Sequence, residues 1–178
     1  PQAETRCVTA LRINERSCVS EFEAAAGDMP SHVLRRSVGE SSMYSVTVRD
    51  HIMIAHSLKG PVFGPAQRLH GATYVVDLEL KRSDLDPDGI VVDIGRAGDA
   101  LRHVLADLNY QNLDEVPAFT GRNTTTEVLA RFVFDGIVTA IRRGDLGPGA
   151  SGIEQIRITL QESHVAAASY EGRVSGPA

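Results

Sequence analysis

Apolar and polar residues alternate most cleanly between Gly71 and Arg82. Tyr74, Val76, Leu78 and Leu80 fall on one side of this segment, and Thr73, Val75, Asp77, Glu79 and Lys81 on the other. That two-residue period predicts a strand with one face buried. Met43–His56 is rich in Val and Ile with partial alternation and predicts a strand before it. Between them, Lys59–Leu69 holds two prolines and two glycines and reads as a loop. Asp84–Gly89 has the composition of a turn, and Ile90–Ile94 is a short apolar run. Ala97, Ala100, Leu101, Val104, Leu105 and Leu108 then recur at helical spacing and make one apolar face. A second helix is expected to carry Val128, Leu129, Phe132, Val133 and Ile137 and to run to about Arg143. Thr124 or Thr125 can cap it, with Glu127 placed for a capping box. After the glycine-rich segment Gly144–Gly152, alternation returns at Ile153–Gln161, and Val165–Tyr170 reads as a last strand. The order is strand, strand, helix, helix, strand, strand, an α+β pattern. Two helices cover one sheet face, and the outer strands keep unpaired edges. Strands continuing from subunit to subunit would satisfy those edges.

Residues 1–42 sustain no such period. They read as an N-terminal extension, either flexible or lying upstream of a start at Met43. Val19–Ala26 has the composition of a short helix, broken by Gly27-Asp28-Met29-Pro30. Residues 43–172 are expected to form the domain and 173–178 a tail. The 178-residue chain has a formal net charge of -5, so it lacks the basic footprint of a nucleic-acid binder. The two cysteines, Cys7 and Cys18, are too few for a disulfide framework. No apolar run approaches the roughly 18 residues of a membrane span, and no basic segment leads into an apolar one at the start. A cytoplasmic protein working on a small molecule, away from membranes, is the expectation.

Six segments, in one collinear order over residues 43 to 172, resemble the signatures of the 6-pyruvoyl-tetrahydropterin synthase and 6-carboxy-tetrahydropterin synthase family. They are Ala55-His56-Ser57-Leu58, Arg68-Leu69-His70-Gly71-Ala72-Thr73-Tyr74, Gly89-Ile90-Val91-Val92-Asp93-Ile94-Gly95, Leu108-Asn109-Tyr110-Gln111-Asn112-Leu113-Asp114, Asn123-Thr124-Thr125-Thr126-Glu127-Val128-Leu129-Ala130, and Glu162 followed by Tyr170. Any one would be weak, and the shared register makes them specific together. The resemblance implies the tunnelling fold: an antiparallel four-stranded sheet with two helices on one face, its strands continuing across subunits into a barrel. It also implies a homohexamer of two stacked trimers, with active sites between subunits.

Set against the family pattern, the chain departs where the chemistry would be. The family's three zinc histidines map to His56, His70 and Ala72. A catalytic zinc takes three protein ligands and an open position, and a methyl group cannot coordinate. No metal is therefore expected, although zinc stays open if another ligand moves in. His51 lies an odd number of residues from His56 and should face the other side of the strand, while His164 is a further candidate. The catalytic cysteine position falls on Ala66, and the family's Asp-His relay on Asn109 and Tyr110. Asn109 does not titrate, and a phenol with a reference pKa near 10 is a poor base.

The binding half of the pattern is kept. Glu162 matches the glutamate that anchors the pterin, and a carboxylate suits two parallel hydrogen bonds from a 2-amino-4-oxo pyrimidine edge. Thr125 and Thr126 match the helix-two residues that touch the ring, although capping alone would also explain them. The expected function is binding of a pterin or purine-like ligand without the family's reaction. The alternatives are an enzyme with altered chemistry on a similar heterocycle, working through Tyr110, His56, His70 or His164, and a structural hexamer with a vestigial pocket.

Overall fold

A computed structural model describes residues 42–174. The expected extension with Cys7, Cys18 and the Val19–Ala26 helix lies outside the described residues, as do the last four residues. Four strands, β1 (Tyr44–His56), β2 (His70–Arg82), β3 (Gln155–Ser163) and β4 (Ala166–Arg173), pair in the order β1-β2-β3-β4. Every pairing is antiparallel. Two helices, α1 (Ile94–Ala106) and α2 (Thr126–Arg143), interrupt the chain between β2 and β3.

The alternation along the strands sets which face is buried. Ile52 and Ile54 of β1, Tyr74, Val76, Leu78 and Leu80 of β2, and Ile156, Ile158 and Leu160 of β3 form a continuous apolar face. The helices pack on it through Ala97, Ala100, Leu101 and Leu105 of α1 and through Leu129, Ala130, Val133 and Ile137 of α2. Burial of these side chains is the main favourable term in the fold.

The helix boundaries depart from the hydrophobic pattern for local reasons. α1 begins at Ile94, three residues before the apolar period does, because Asp93 accepts hydrogen bonds from Gly95 N and Arg96 N. Ile94 itself is 63% exposed, so no periodic signal marks that first turn. In the second helix the expected capping box does not form. Thr125 occupies the N-cap position with no side-chain capping bond, and Thr124 is turned into the core, its hydroxyl engaged elsewhere. The Lys59–Leu69 loop contains a 3-10 turn, Pro61–Gln67, broken at Gly64 (φ 49°). The last strand reaches Arg173, and Val174 N donates to Glu154 O beyond it.

The two helices approach closely at Gly136, where a Cβ would fall 2.7 Å from Val104 Cγ1. Val is stiff about χ1 and cannot withdraw cheaply. Gly136→Ala should therefore lower stability by about 1–2 kcal/mol despite the better helix propensity of Ala. With Val104→Ala already in place, the same change should raise stability by up to ~1 kcal/mol. Urea unfolding of the four proteins checks the reversal of sign.

The opposite sheet face carries polar pairs. Arg49 binds Asp77 through two hydrogen bonds of 2.6 and 2.8 Å, and Gln161 Nε2 donates to Asp77 at 2.9 Å. The Arg49 bond holds the Asp77 carboxyl below the ordinary aspartate value. The stability it contributes is present above that ordinary value and is lost as pH falls through the lowered one. Asp77→Asn should flatten this acid limb, read as a smaller drop in urea midpoint below about pH 4 than in the parent.

Candidate functional site

His56 ends β1 and His70 opens β2, and the ladder makes them cross-strand partners. Their ring centroids are 4.6 Å apart. His56 is 2% exposed, and its Nδ1 lies 3.0 Å from the Thr124 carbonyl oxygen and 2.9 Å from Thr124 Oγ1. A carbonyl only accepts, so Nδ1 carries the proton and Nε2 keeps its lone pair. His70 repeats the arrangement, with Nδ1 2.9 Å from the Arg68 carbonyl oxygen. Burial, and then the neighbouring His70, hold the His56 imidazole below its ordinary value, which favours the neutral ring.

Ala72 pairs with Ile54 and lies on the same side of β2 as His70 and Tyr74. His56, His70 and Ala72, the positions matching the family's zinc histidines, thus share one face, and the third is a methyl group. His51 is on the opposite face beside Asp50, as its parity requires. His164 sits in the exposed β3–β4 turn. Among the described residues no group of three or more His, Cys, Asp or Glu is placed to hold a metal ion. The donor set falls one ligand short of a catalytic zinc.

The Ala66 carbonyl accepts from Leu58 N at 3.0 Å, which ties the 3-10 turn to the chain leaving β1. Asn109 and Tyr110 lie along the free edge of β1. Asn109 Oδ1 accepts from Met53 N at 3.0 Å, and Tyr110 N donates to Met53 O at 2.7 Å. Tyr110 has φ 59° and is 76% exposed. Asn109 thus has a backbone-pairing role that the sequence did not reveal. Neither residue hydrogen-bonds to His56, His70 or Glu162.

Glu162 arrives from β3. The β2–β3 ladder ends at Val75↔Gln161, and the β3–β4 register shifts between Gln161 and Ser163, so Glu162 lies one residue past the ladder at an irregularity; its bond to Thr126 puts it on the helix side of the sheet. Glu162 Oε2 accepts from Thr126 Oγ1 at 3.3 Å, at the start of α2. Tyr74 is 1% exposed, and burial, with the negative charge of Glu162 adding, holds its phenol above the ordinary value. Glu162 and Thr126 therefore come together, next to Tyr74 and within electrostatic reach of His56. Thr125 makes no side-chain capping bond beside them.

Thr124 and Tyr74 are the site residues that sequence reasoning missed. Thr124 stands in a run of three threonines, and Tyr74 in an apolar stripe, so neither position carries a distinguishing signal. His56, Thr124 and Tyr74 are buried, and His70, Thr125 and Thr126 are half-buried. A cavity of about 600 Å³ lies between α1 and α2, lined by Arg96, Asp99, His103 and Asp145 among others, and none of the residues above lines it. Glu162 is exposed.

With this geometry in place, comparisons with known proteins are specific. The profile of the 6-pyruvoyl tetrahydropterin synthase family matches residues 45–173. The chain belongs to that family. A 6-pyruvoyl tetrahydrobiopterin synthase of Dictyostelium discoideum is 29% identical over 112 residues, covering 61% of this chain and 78% of the relative. The 6-pyruvoyl tetrahydropterin synthase structure of Caenorhabditis elegans aligns with a TM-score of 0.61 at 22% identity, covering 74% of this chain and 96% of that one. The Plasmodium vivax structure of the same description aligns at 0.62 and 16% identity, covering 74% and 99%. The antiparallel sheet with helices on one face is the tunnelling fold of these neighbours.

Proposed function

We propose that this chain binds a pterin or purine-like heterocycle through Glu162 and does not run the family's lyase reaction. The hydrogen bond from Thr126 to Glu162, at the end of the face that also carries His56 and His70, is the observation that supports the reading. A carboxylate there offers its remaining lone pairs to the ring N–H and exocyclic amine of the ligand. The uncapped first turn of α2 brings backbone N–H groups to the same place. Loss of turnover follows from the residues at the reacting positions. Ala66 supplies no thiolate, Asn109 no titration and Ala72 no metal ligand, and such groups act as a unit.

The exposed Glu162 and the outer edges of β1, paired only near Met53 and Ala55, and of β4 favour a homohexamer in which a neighbouring copy closes the site. No described helix is long and apolar enough to cross a membrane, which agrees with a cytoplasmic location. A second reading is altered acid–base chemistry on a similar ring. It is favoured by the paired imidazoles, each with Nδ1 fixed by a carbonyl and Nε2 without a hydrogen-bond partner among the described residues. Two measurements separate these readings. Calorimetric titration with neopterin should show one site per chain, and absence of binding would reject the heterocycle. Incubation with dihydroneopterin triphosphate should leave it intact, and conversion would favour the second reading.

A further inference from the structure

We propose that Asn123 is a positioning residue for the ligand site: its carboxamide clasps the backbone of Lys59 and closes the pocket in which Thr124 fixes the His56 ring. The inference rests on the reading of the His56 and Glu162 face as that site. Asn123 Oδ1 accepts from Lys59 N at 2.7 Å, and Asn123 Nδ2 donates to Lys59 O at 2.8 Å. The next residue, Thr124, meets His56 Nδ1 through its carbonyl oxygen at 3.0 Å and its hydroxyl at 2.9 Å. Two rungs thus join the chain leaving β1 to the chain entering α2, His56 to Thr124 and Lys59 to Asn123. The inner rung is buried, with His56 at 2% and Thr124 at 1% exposure. The outer rung lies at the surface, where Lys59 is exposed and Asn123 half-buried.

The two chains do not depend equally on the outer rung. Ser57 N and Ser57 Oγ both donate to Asp114, at 3.1 and 2.6 Å, and hold the backbone beside His56 independently. Thr124 has no such anchor. Among the described residues, no backbone–backbone hydrogen bond outside the helices and strands involves Asn123 or Thr124, and Thr125 makes no side-chain capping bond. Regular structure resumes at Thr126, whose hydroxyl donates to Glu162 Oε2 at 3.3 Å. The Asn123 carboxamide is therefore the fixed point from which residues 124–126 reach His56 on one side and Glu162 on the other. A carboxamide suits this task because it carries a donor and an acceptor side by side, and so pairs with both backbone groups of one residue. Closing the outer rung also keeps water from the inner one, where a dry surrounding strengthens each hydrogen bond.

The His56 Hδ1 proton gives a ligand-free readout by NMR. In the parent it should appear as a low-field resonance in slow exchange with water, and its absence would overturn the proposal. Asn123→Ala loses both outer bonds and should speed that exchange by on the order of 10-fold. Core amides such as that of Leu78 should keep their rates; equal acceleration there would mean a general loss of stability and would overturn the local role. Lys59→Ala keeps the backbone rung and should match the parent, so behaviour like that of Asn123→Ala would also overturn it. Asn123→Asp keeps an oxygen for Lys59 N and loses the donor to Lys59 O, and its rate should fall in between. Should the alanine variant not fold, parent-like exchange in Asn123→Asp overturns the proposal. Neopterin binding should weaken by about 3- to 10-fold in Asn123→Ala, and unchanged affinity beside faster exchange would remove Asn123 from the ligand site. If the parent binds no neopterin, the ligand reading falls, and the exchange rates alone decide whether Asn123 closes the His56 pocket.

Discussion

Glu162→Ala should reduce neopterin binding by about 100-fold or more and leave the fold intact. A hydrogen bond to a charged group contributes roughly 1.5–3 kcal/mol, and the pyrimidine edge of a pterin offers two to one carboxylate. Because Glu162 is exposed in the single chain, the lower bound applies to each, about 3 kcal/mol together, or roughly two decades in Kd. The same exposure means that little packing is lost, so the unfolding midpoint should move by no more than about 0.5 kcal/mol equivalent. Glu162→Gln separates charge from shape. An amide presents an NH2 donor where the ligand also has a donor, so its loss should approach that of the alanine variant. Calorimetry and urea unfolding on the same preparations provide both numbers. Parent-like affinity in Glu162→Ala would remove the carboxylate from the ligand site altogether.

How far the site could be read from the sequence depended on what each residue's signal was. The core face of β2 followed from strict alternation, and Tyr74, Val76, Leu78 and Leu80 are all buried. The start of α1 did not, because its first turn is held by Asp93 while Ile94 points to solvent. Glu162 lies 106 residues from His56 in the chain, and only a shared register with a known pattern could bring them together. The physical reason is tertiary: β3 carries Glu162 one residue past the end of its ladder with β2, where it meets Thr126 at the start of α2. Thr124 and Thr125 are equally suited by composition to cap α2, and Thr124 does not. Its polar groups serve a buried imidazole instead, and a propensity argument cannot distinguish a threonine facing a helix from one facing the core. Asn109 shows the same limit. A missing carboxylate is visible in the sequence, but the bond from Met53 N that its amide accepts is a tertiary fact.

Ala72→His should convert the histidine pair into a zinc site without raising turnover. His56 and His70 face each other across β1 and β2, and position 72 is the next residue on the same side of β2. Both existing imidazoles already have Nδ1 held by a carbonyl, the outer contact that orients a metal-ligating histidine. Loss of such an outer contact alone costs 10–100-fold in metal affinity, so gain of a whole ligand should raise zinc affinity by on the order of 100-fold or more. Competition against a chromogenic chelator measures this directly. Zinc at about 100 times the new Kd should also stabilise the variant by ~2.7 kcal/mol and the parent far less. Turnover of dihydroneopterin triphosphate by the variant should be no higher than by the parent, because Ala66 and Asn109 supply no base in either. A folded Ala72→His protein with parent-like zinc affinity would mean that the three positions do not converge. Tight zinc binding by the parent would mean that a donor outside this face completes the set.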